Sequence, residues 1–391
     1  MTIAPTLAAY PQGYLSLAQN LGIKDDTLDF TVIYSTTRAA AAGMFTQSRF
    51  CGAPVIVGRE HLADGSLQAL AINSKNANVA TGKLGLENAR ETTRLIATAL
   101  DIAPADVLPS STGVIGHQLP MEIFRRAIGG GLREQLCPEN LGTSAQAIMT
   151  TDTRPKLTST RVGNAVLAGM AKGAGMIEPN MATMLSFLLT DAAIPSGTLR
   201  PMLHQAVEQS FNMVSVDTDT STSDTVIIMA NGLAGEVDLA AFQTALNETC
   251  IHLAKEIARD GEGATKLLEI VVTAARDDQQ AKRVAKAVVN SPLMKTAVHG
   301  ADPNWGRVAM AIGKCHDEHD IHPERICISF GNTCIYAKGE PQNIDLQQLE
   351  SYLGGQEIQV AIDLGLHSGR ATVWGCDLTE EYVRINALYT T

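Results

Sequence analysis

Residues 175–187 read GMIEPNMATMLSF. They set Thr183 behind a small residue, Ala182, at the head of the apolar run MLSFLLTDA (184–192). A continuous apolar run of this length predicts a buried strand. A lysine, Lys172, stands just upstream in AKGAGM. Judged by these neighbours alone, Thr183 is a threonine at the start of a core strand.

Cutting the chain before Thr183 changes its chemistry. An internal threonine hydroxyl has no base attached. A threonine at a new N-terminus carries a free α-amine, which titrates near 8, against about 10.4 for a lysine. Roughly a tenth of such an amine is neutral at pH 7. It is a base held next to its own hydroxyl, and threonine with an N-terminal amine is a known nucleophile pair. A small residue such as Ala182 leaves room for the peptide bond to rearrange.

Composition narrows the setting. The chain has 391 residues, 45% hydrophobic and 18% charged, with a net charge of −11. Its length suggests two or three domain-sized units, or units fused around one sheet system. The acidic balance argues against nucleic acid or an anionic membrane as partner. No apolar run is long enough to span a bilayer, and MTIAPTLAAYPQGYLSLAQN (1–20) lacks the basic-then-apolar form of a signal peptide. The expected location is the cytoplasm. The seven cysteines are scattered without a CxxC pair, as for reduced thiols.

Strand and helix patterns mix along the whole chain. DFTVIYST (29–36), APVIVGRE (53–60) and LQALAINS (67–74) read as short strands, being apolar and β-branched between turn signals. LENARETTRLIATAL (86–100) and MEIFRRAIGGG (121–131) read as helices. TLRPMLHQAVEQSFNM (198–213) does too, with Pro201 placed in its first turn, where a missing N–H costs little. After Asp238, a fair N-cap, Phe242, Leu246, Cys250, Leu253 and Ile257 form one apolar stripe. LLEIVVTAA (267–275), ICISF, TCIYA, IQVAIDL and ATVWGCD read as strands, interspersed with helices from Asp278 and around LQQLESYL. No repeats or long linkers appear. The fold class is α/β or α+β, with layered sheets and helices.

Other chemistries fit less well. CHDEHDIHPERIC holds Cys315, His316, His319, His322 and Cys327, but its spacing is neither HExxH nor paired CxxC, and it reads as a charged turn before a strand. DTDTSTSDT (217–225) has the composition of a calcium loop without its turn glycine or closing glutamate. It reads as a turn capping VIIMA, with hydroxyls that can line a polar site. There is no dinucleotide fingerprint, Walker A motif or GxSxG elbow.

KGAGMIEPNMATML resembles the autocleavage and nucleophile segment of the ornithine acetyltransferases, also called glutamate N-acetyltransferases. SSTGVIG (110–116) resembles their oxyanion-hole turn. AIMTTDTRPK (147–156), DTDTSTSD, DGEGATK (260–266), NSPLMKTAVHGADPNWGR (290–307) and EYVRINALYTT (381–391) are similar to further family signatures. The resemblance covers nearly the whole chain, in order. It implies the DmpA/ArgJ-like fold, a sandwich of β-sheets between helices. It implies self-cleavage between Ala182 and Thr183 into an α chain, 1–182, and a β chain, 183–391, intertwined and assembled as two of each. It implies ping-pong acetyl transfer from N2-acetylornithine to glutamate, without metal or organic cofactor. Thr183 is then the nucleophile, Thr112 and Gly113 match the oxyanion hole, and Thr151, Lys172, Glu262, Asn386 and Thr391 contact substrate. On charge alone, Lys172 faces a carboxylate and Glu262 an ammonium.

Three rivals stand beside this reading. One is a relative in a specialised pathway of the clavulanic-acid type, using other ornithine- or arginine-like acceptors. Another is an N-terminal-nucleophile aminopeptidase or amidohydrolase, with water as acceptor. The third is an uncleaved amino-acid-binding protein. No motif marks acetyl-CoA as a second donor, so a single donor is expected.

Overall fold

The apolar run after Met184 is a central strand of a sheet, and all eight of its residues are buried. The computed structural model describes residues 6–178 and 184–388. Two units share them. The first holds residues up to 212 together with 219–253, and the second holds 213–218 and 254–388.

The strands of the first unit are β1 (Tyr14–Gln19), β2 (Phe30–Phe45), β3 (Ser66–Asn73), β4 (Val107–Ser111), β5 (Lys156–Val162), β6 (Ala165–Lys172), β7 (Leu185–Ala192) and β8 (Thr225–Gly235). Their order is β4-β3-β2-β8-β7-β6-β5, with β1 also on β2. The long β2 is shared along its length: its first half pairs with β1 and its second half with β8. The helices are α1 (Ala53–His61), α2 (Gly82–Leu100), α3 (Met121–Ile128), α4 (Leu141–Ala147), α5 (Ser196–Glu208) and α6 (Leu239–Arg259), whose last residues belong to the second unit.

Both faces of this sheet are apolar, so both are covered. Ile33, Leu70, Ile72, Phe187 and Leu189 join Leu141 and Ala145 of α4, and Ile148 just after it, in one core. Phe30, Val32, Ala69 and Ala71 meet Ile96 of α2 and Phe124 and Ile128 of α3 in another. The period of two along β2 and β3 divides the side chains between these layers.

In the second unit, β9 (Leu267–Ala275), β10 (Cys327–Phe330), β11 (Thr333–Ala337), β12 (Glu340–Pro341), β13 (Glu357–Asp363) and β14 (Gly369–Cys376) form a sheet ordered β12-β11-β10-β13-β9-β14. Helices α7 (Asp278–Val289), α8 (Pro292–His299), α9 (Gly306–Gly313), α10 (Leu346–Leu353) and α11 (Glu380–Leu388) accompany it. One core joins Leu268, Ile270, Val272, Ile358, Val360 and Ile362 to α7 and α10. Between these positions, Glu269 accepts hydrogen bonds from Trp374 Nε1 at 2.7 Å and Gln359 Nε2 at 2.7 Å, marking a polar face. The architecture is the expected α/β layering of sheets and helices.

Two local expectations are overturned. APVIVGRE is helix α1, not a strand. Gly52 is extended at the N-cap and Pro54 lies in the first turn, where its missing N–H breaks no helical bond. Burial of Ala53, Val55 and Val57 then outweighs the β-preference of the valines. Pro201 lies inside α5 and not in its first turn. Thr198 N and Leu199 N both bond to Pro195 O, so the helix starts earlier than the apolar pattern indicates.

The N-cap expectation for α6 agrees with the structure. Asp238 Oδ1 accepts from Ala241 N at 2.7 Å, and Phe242, Leu246, Cys250, Leu253 and Ile257 are all buried. Asp238→Ala should lower stability by about 1 kcal/mol in chemical denaturation without changing activity, because only the cap is lost.

Candidate active site

The centre of the site is the start of β7. Leu185 is flanked by Lys172, the last residue of antiparallel β6, and by Thr225, the first residue of parallel β8. Thr225 N donates to Met184 O at 3.1 Å. Glu178 N donates to Asp219 O at 2.9 Å. The loop leading into β8 therefore holds the chain on both sides of residues 179–183. Ala182 and Thr183 lie outside the described residues, as does Thr391.

The same loop reaches the Thr112–Gly113 turn through a relay of backbone hydrogen bonds. Gly52 N donates to Thr222 O at 2.9 Å, Ala53 N to Asn78 O at 3.1 Å, and Ala77 N to Val114 O at 3.0 Å. Gly113 has φ +130°, and a Cβ there would stand 2.3 Å from the Lys75 carbonyl carbon. Only glycine fits this approach. The facing loop is itself strained, with Lys75, Asn78 and Ala80 all at positive φ. Asparagine side chains hold it: Asn73 Nδ2 donates to Asn76 O at 2.8 Å, Asn78 N to Asn76 Oδ1 at 2.8 Å, and Asn78 Nδ2 to Gly85 O at 2.9 Å. Among the described residues, neither Gly113 N–H nor the Thr112 hydroxyl has a hydrogen-bond partner. Two donors are left for a ligand.

Lys172 Nζ approaches Thr150 Oγ1 at 3.4 Å, one residue before the expected Thr151, which is half-buried beside it. Behind Lys172 lies a fully buried pair: Lys156 Nζ donates to Asp152 Oδ1 at 2.6 Å. Asp152 also accepts from Gly173 N at 2.7 Å and Thr150 N at 3.1 Å. Burial alone would raise the Asp152 carboxyl. The Lys156 and Lys172 ammonium groups and the Gly173 N–H outweigh it and hold it at about 2.

Asp224, just before β8, is the opposite case. Burial pushes its carboxyl well above the usual carboxylate range, against the opposing field of Lys172. Sequence reading missed the roles of Asp152, Lys156 and Asp224. Their signal was weak: all three fall within the quoted segments AIMTTDTRPK and DTDTSTSD, but charge there gives no pairing.

Glu262 and Asn386 belong to the second unit. The structure joins them directly: Asn386 Nδ2 donates to Glu262 Oε2 at 2.7 Å. Gly263, with φ +71°, brings its segment against α11, and a Cβ there would meet Tyr382 N at 2.5 Å. Cys315, His316, His319, His322 and Cys327 do not converge; among the described residues no three His, Cys, Asp or Glu side chains are grouped to hold a metal ion. No described helix is long and apolar enough to cross a membrane.

The buried pair gives a test of the scaffold. Asp152→Ala should destabilise the protein by about 3–5 kcal/mol, because the Lys156 charge is left uncompensated. Since the Asp152 carboxyl is depressed, its stabilisation is present above the ordinary carboxylate range. It is lost as pH falls toward 2. Denaturation curves of both proteins across acid pH should converge at the acid end.

Comparison with known proteins agrees along the whole length. The model of the ArgJ family matches residues 16–391. The arginine biosynthesis bifunctional protein ArgJ 2 of a Nostoc species is 50% identical over 386 residues, 99% of each chain. The glutamate N-acetyltransferase Oat2 of Streptomyces clavuligerus is 50% identical over 97% of this chain and 98% of its own. In the crystal structure of arginine biosynthesis bifunctional protein ArgJ from Bacillus halodurans, the whole of the matching chain covers 53% of this one, with 44% identity and a TM-score of 0.51. The protein belongs to the ArgJ family.

Proposed function

We propose that this protein is an acetyltransferase of arginine biosynthesis that cuts itself between Ala182 and Thr183. It then moves acetyl from N2-acetylornithine to glutamate through an ester on Thr183. The observation that carries the reading is half identity, over nearly the full length, to proteins named for arginine biosynthesis and glutamate N-acetyltransferase activity.

Two further observations support the cut. The crystal chain that matches end to end accounts for 53% of this chain, the same fraction as residues 183–391. Fragments 1–182 and 183–391 would also stay together, because β7 pairs with β6 and β8 pairs with β2 across the division. An assembly of two α and two β chains, working in the cytoplasm, completes the proposal.

In this mechanism the Thr183 hydroxyl attacks the acetamide carbonyl, and its α-amine takes the proton. The unpartnered Thr112 hydroxyl and Gly113 N–H suit the developing oxyanion, one such donor being worth about 3 kcal/mol in the transition state. Ornithine departs and leaves the acetyl ester, which the glutamate amine attacks. One amide replaces a similar amide, so the exchange is close to balanced and runs in both directions. Water must be kept from the ester, or the acetyl group is lost to hydrolysis.

Lys172 is assigned to a substrate carboxylate and Glu262 to an ammonium, with Thr151, Asn386 and Thr391 as further contacts. The bond from Asn386 to Glu262 supports these two acting together.

The name of the Nostoc relative includes the word bifunctional, against the single-donor expectation. This favours, as a second reading, acetyl-CoA as an additional donor to glutamate.

Purified protein should run as two bands on a denaturing gel, with masses matching 1–182 and 183–391. Acetylornithine plus glutamate should give ornithine and N-acetylglutamate, with little acetate when no amine acceptor is present. Acetate release at the rate of transfer would instead indicate a hydrolase. Faster transfer to arginine-type acceptors would indicate a specialised pathway. A parallel assay with acetyl-CoA decides the second donor. Thr183→Ala should remain one band without transfer activity. Gly113→Ala should lower kcat by at least about 100-fold, since the added Cβ displaces the oxyanion donor.

A further inference from the structure

The turn that carries Glu262 has a mounting that the transfer chemistry leaves unexplained. DGEGATK (260–266) joins α6 to β9. Its Gly263 stands at φ +71°, where other residues are strained, so the shape of the turn has to be defined by bonds from outside it. Asp377 supplies them. Its side chain is fully buried just after β14, whose last residue, Cys376, pairs with Leu267 at the start of β9. Asp377 Oδ1 accepts from Thr265 N at 2.8 Å and from Lys266 N at 2.9 Å. Its Oδ2 accepts from Thr265 Oγ1 at 2.5 Å and from His299 Nδ1, at the end of α8, at 3.0 Å. Each oxygen is used twice, the full capacity of a carboxylate.

The same stretch of chain grips the rest of the turn and the residue that meets Glu262. Thr379 Oγ1, two positions after Asp377, donates to Gly263 O at 2.8 Å and accepts from Glu381 N at 3.1 Å in the first turn of α11. α11 then carries Asn386 to Glu262 Oε2. Lys266 Nζ, at the end of the turn, donates to Val298 O at 2.7 Å and His299 O at 3.3 Å, and to Leu353 O at 2.6 Å. These carbonyls are the ends of α8 and α10, where an ammonium is favoured. Residues 377–379 therefore anchor both the turn that bears Glu262 and the helix that bears Asn386. His299 links the segment NSPLMKTAVHGADPNWGR, otherwise without a part in the chemistry, to the same frame. Glu262 is itself buried, and among the described residues its Oε1 takes no hydrogen bond.

We propose that Asp377 is the positioning residue for recognition of a substrate ammonium. With His299 it fixes the turn so that Glu262 Oε1 is presented to the side-chain ammonium of the acetyl donor. The inference rests on the assignment of Glu262 to an ammonium made above. Asp377 acts through the turn and not by touching substrate. N2-acetylornithine has one ammonium, on its side chain, because its α-nitrogen belongs to the acetamide. A hydrogen bond between carboxylate and ammonium is strong only while its distance and angle hold. A shift of the turn weakens that bond, whereas a donor without a side-chain ammonium loses nothing. Asp377 therefore governs the preference for a cationic donor and not the transfer step itself.

The test compares N2-acetylornithine with N2-acetylnorvaline, which has the same carbon chain without the ammonium, as acetyl donors to glutamate. Wild type should prefer acetylornithine, through KM more than kcat. Glu262→Gln should remove most of this preference. Asp377→Asn keeps an acceptor for Thr265 N and Lys266 N but loses the one for the Thr265 hydroxyl and His299. It should lower the preference at least about tenfold, through KM for acetylornithine, with the kinetics of acetylnorvaline unchanged. Glu262→Gln combined with Asp377→Asn should show no further loss, since both act on one interaction. His299→Ala should move the preference the same way, and His299→Asn, which returns an N–H close to the Nδ1 position, should restore part of it. If Asp377→Asn does not fold, Thr265→Val, which removes a single hydroxyl bond, carries the same test. If Glu262→Gln loses the preference but the Asp377 or Thr265 variant slows both donors equally, Asp377 is structural only and the inference is overturned. If wild type has no preference, or Glu262→Gln keeps it, the assignment of Glu262 fails, and the inference with it.

Discussion

The pairing of β7 with its neighbours is the constraint on which the rest of the first unit depends. A strand buried on both faces has no water to satisfy its backbone, so both edges must find partners. β6 supplies one edge and β8 the other. Parallel pairing with β8 brings the start of that strand, and the loop before it, level with the start of β7. The long crossing from β7 through α5 back to β8 is thereby converted into local proximity. The bond from Thr225 N to Met184 O and that from Glu178 N to Asp219 O are two consequences of one register.

Around that point the unit keeps two carboxyl groups in opposite states. Asp152 has a buried ammonium, a second ammonium in range and backbone donors, and it ionises readily. At Asp224 burial outweighs the Lys172 ammonium and the nearby Met184 N–H and Thr46 hydroxyl, and the carboxyl is pushed up. The same lysine acts on both, so the difference comes from hydrogen bonding and the buried Lys156. Sites that must move protons commonly hold titratable groups pushed apart in this way.

The oxyanion turn shows a different economy. Gly113 approaches the Lys75–Asn76 backbone so closely that a side chain is excluded, while three residues of the facing loop occupy left-handed conformations. Asparagine side chains, bonded to backbone groups, hold that loop in place. The strain is local and is offset by these bonds. Its product is a turn with two donors free.

Much of the layered α/β fold was legible in the sequence. The uninterrupted apolar run at 184–192, the stripe from Phe242 to Ile257 and the cap at Asp238 depend on neighbours a few residues away, and each appears as read. APVIVGRE was misread because its outcome depended on Gly52, Pro54 and the surface it packs on, not on the preference of its valines. By itself the sequence determined which side chains have suitable chemistry, because a hydroxyl, an ammonium or a glycine is a local fact. Only the tertiary structure decided that residues 52, 78, 114 and 222 form one relay, and that the Asp152 carboxyl is held down where that of Asp224 is pushed up. Hydrogen-bond partners and loss of water are contributed by segments far apart in the chain, and those become neighbours only when the sheet forms.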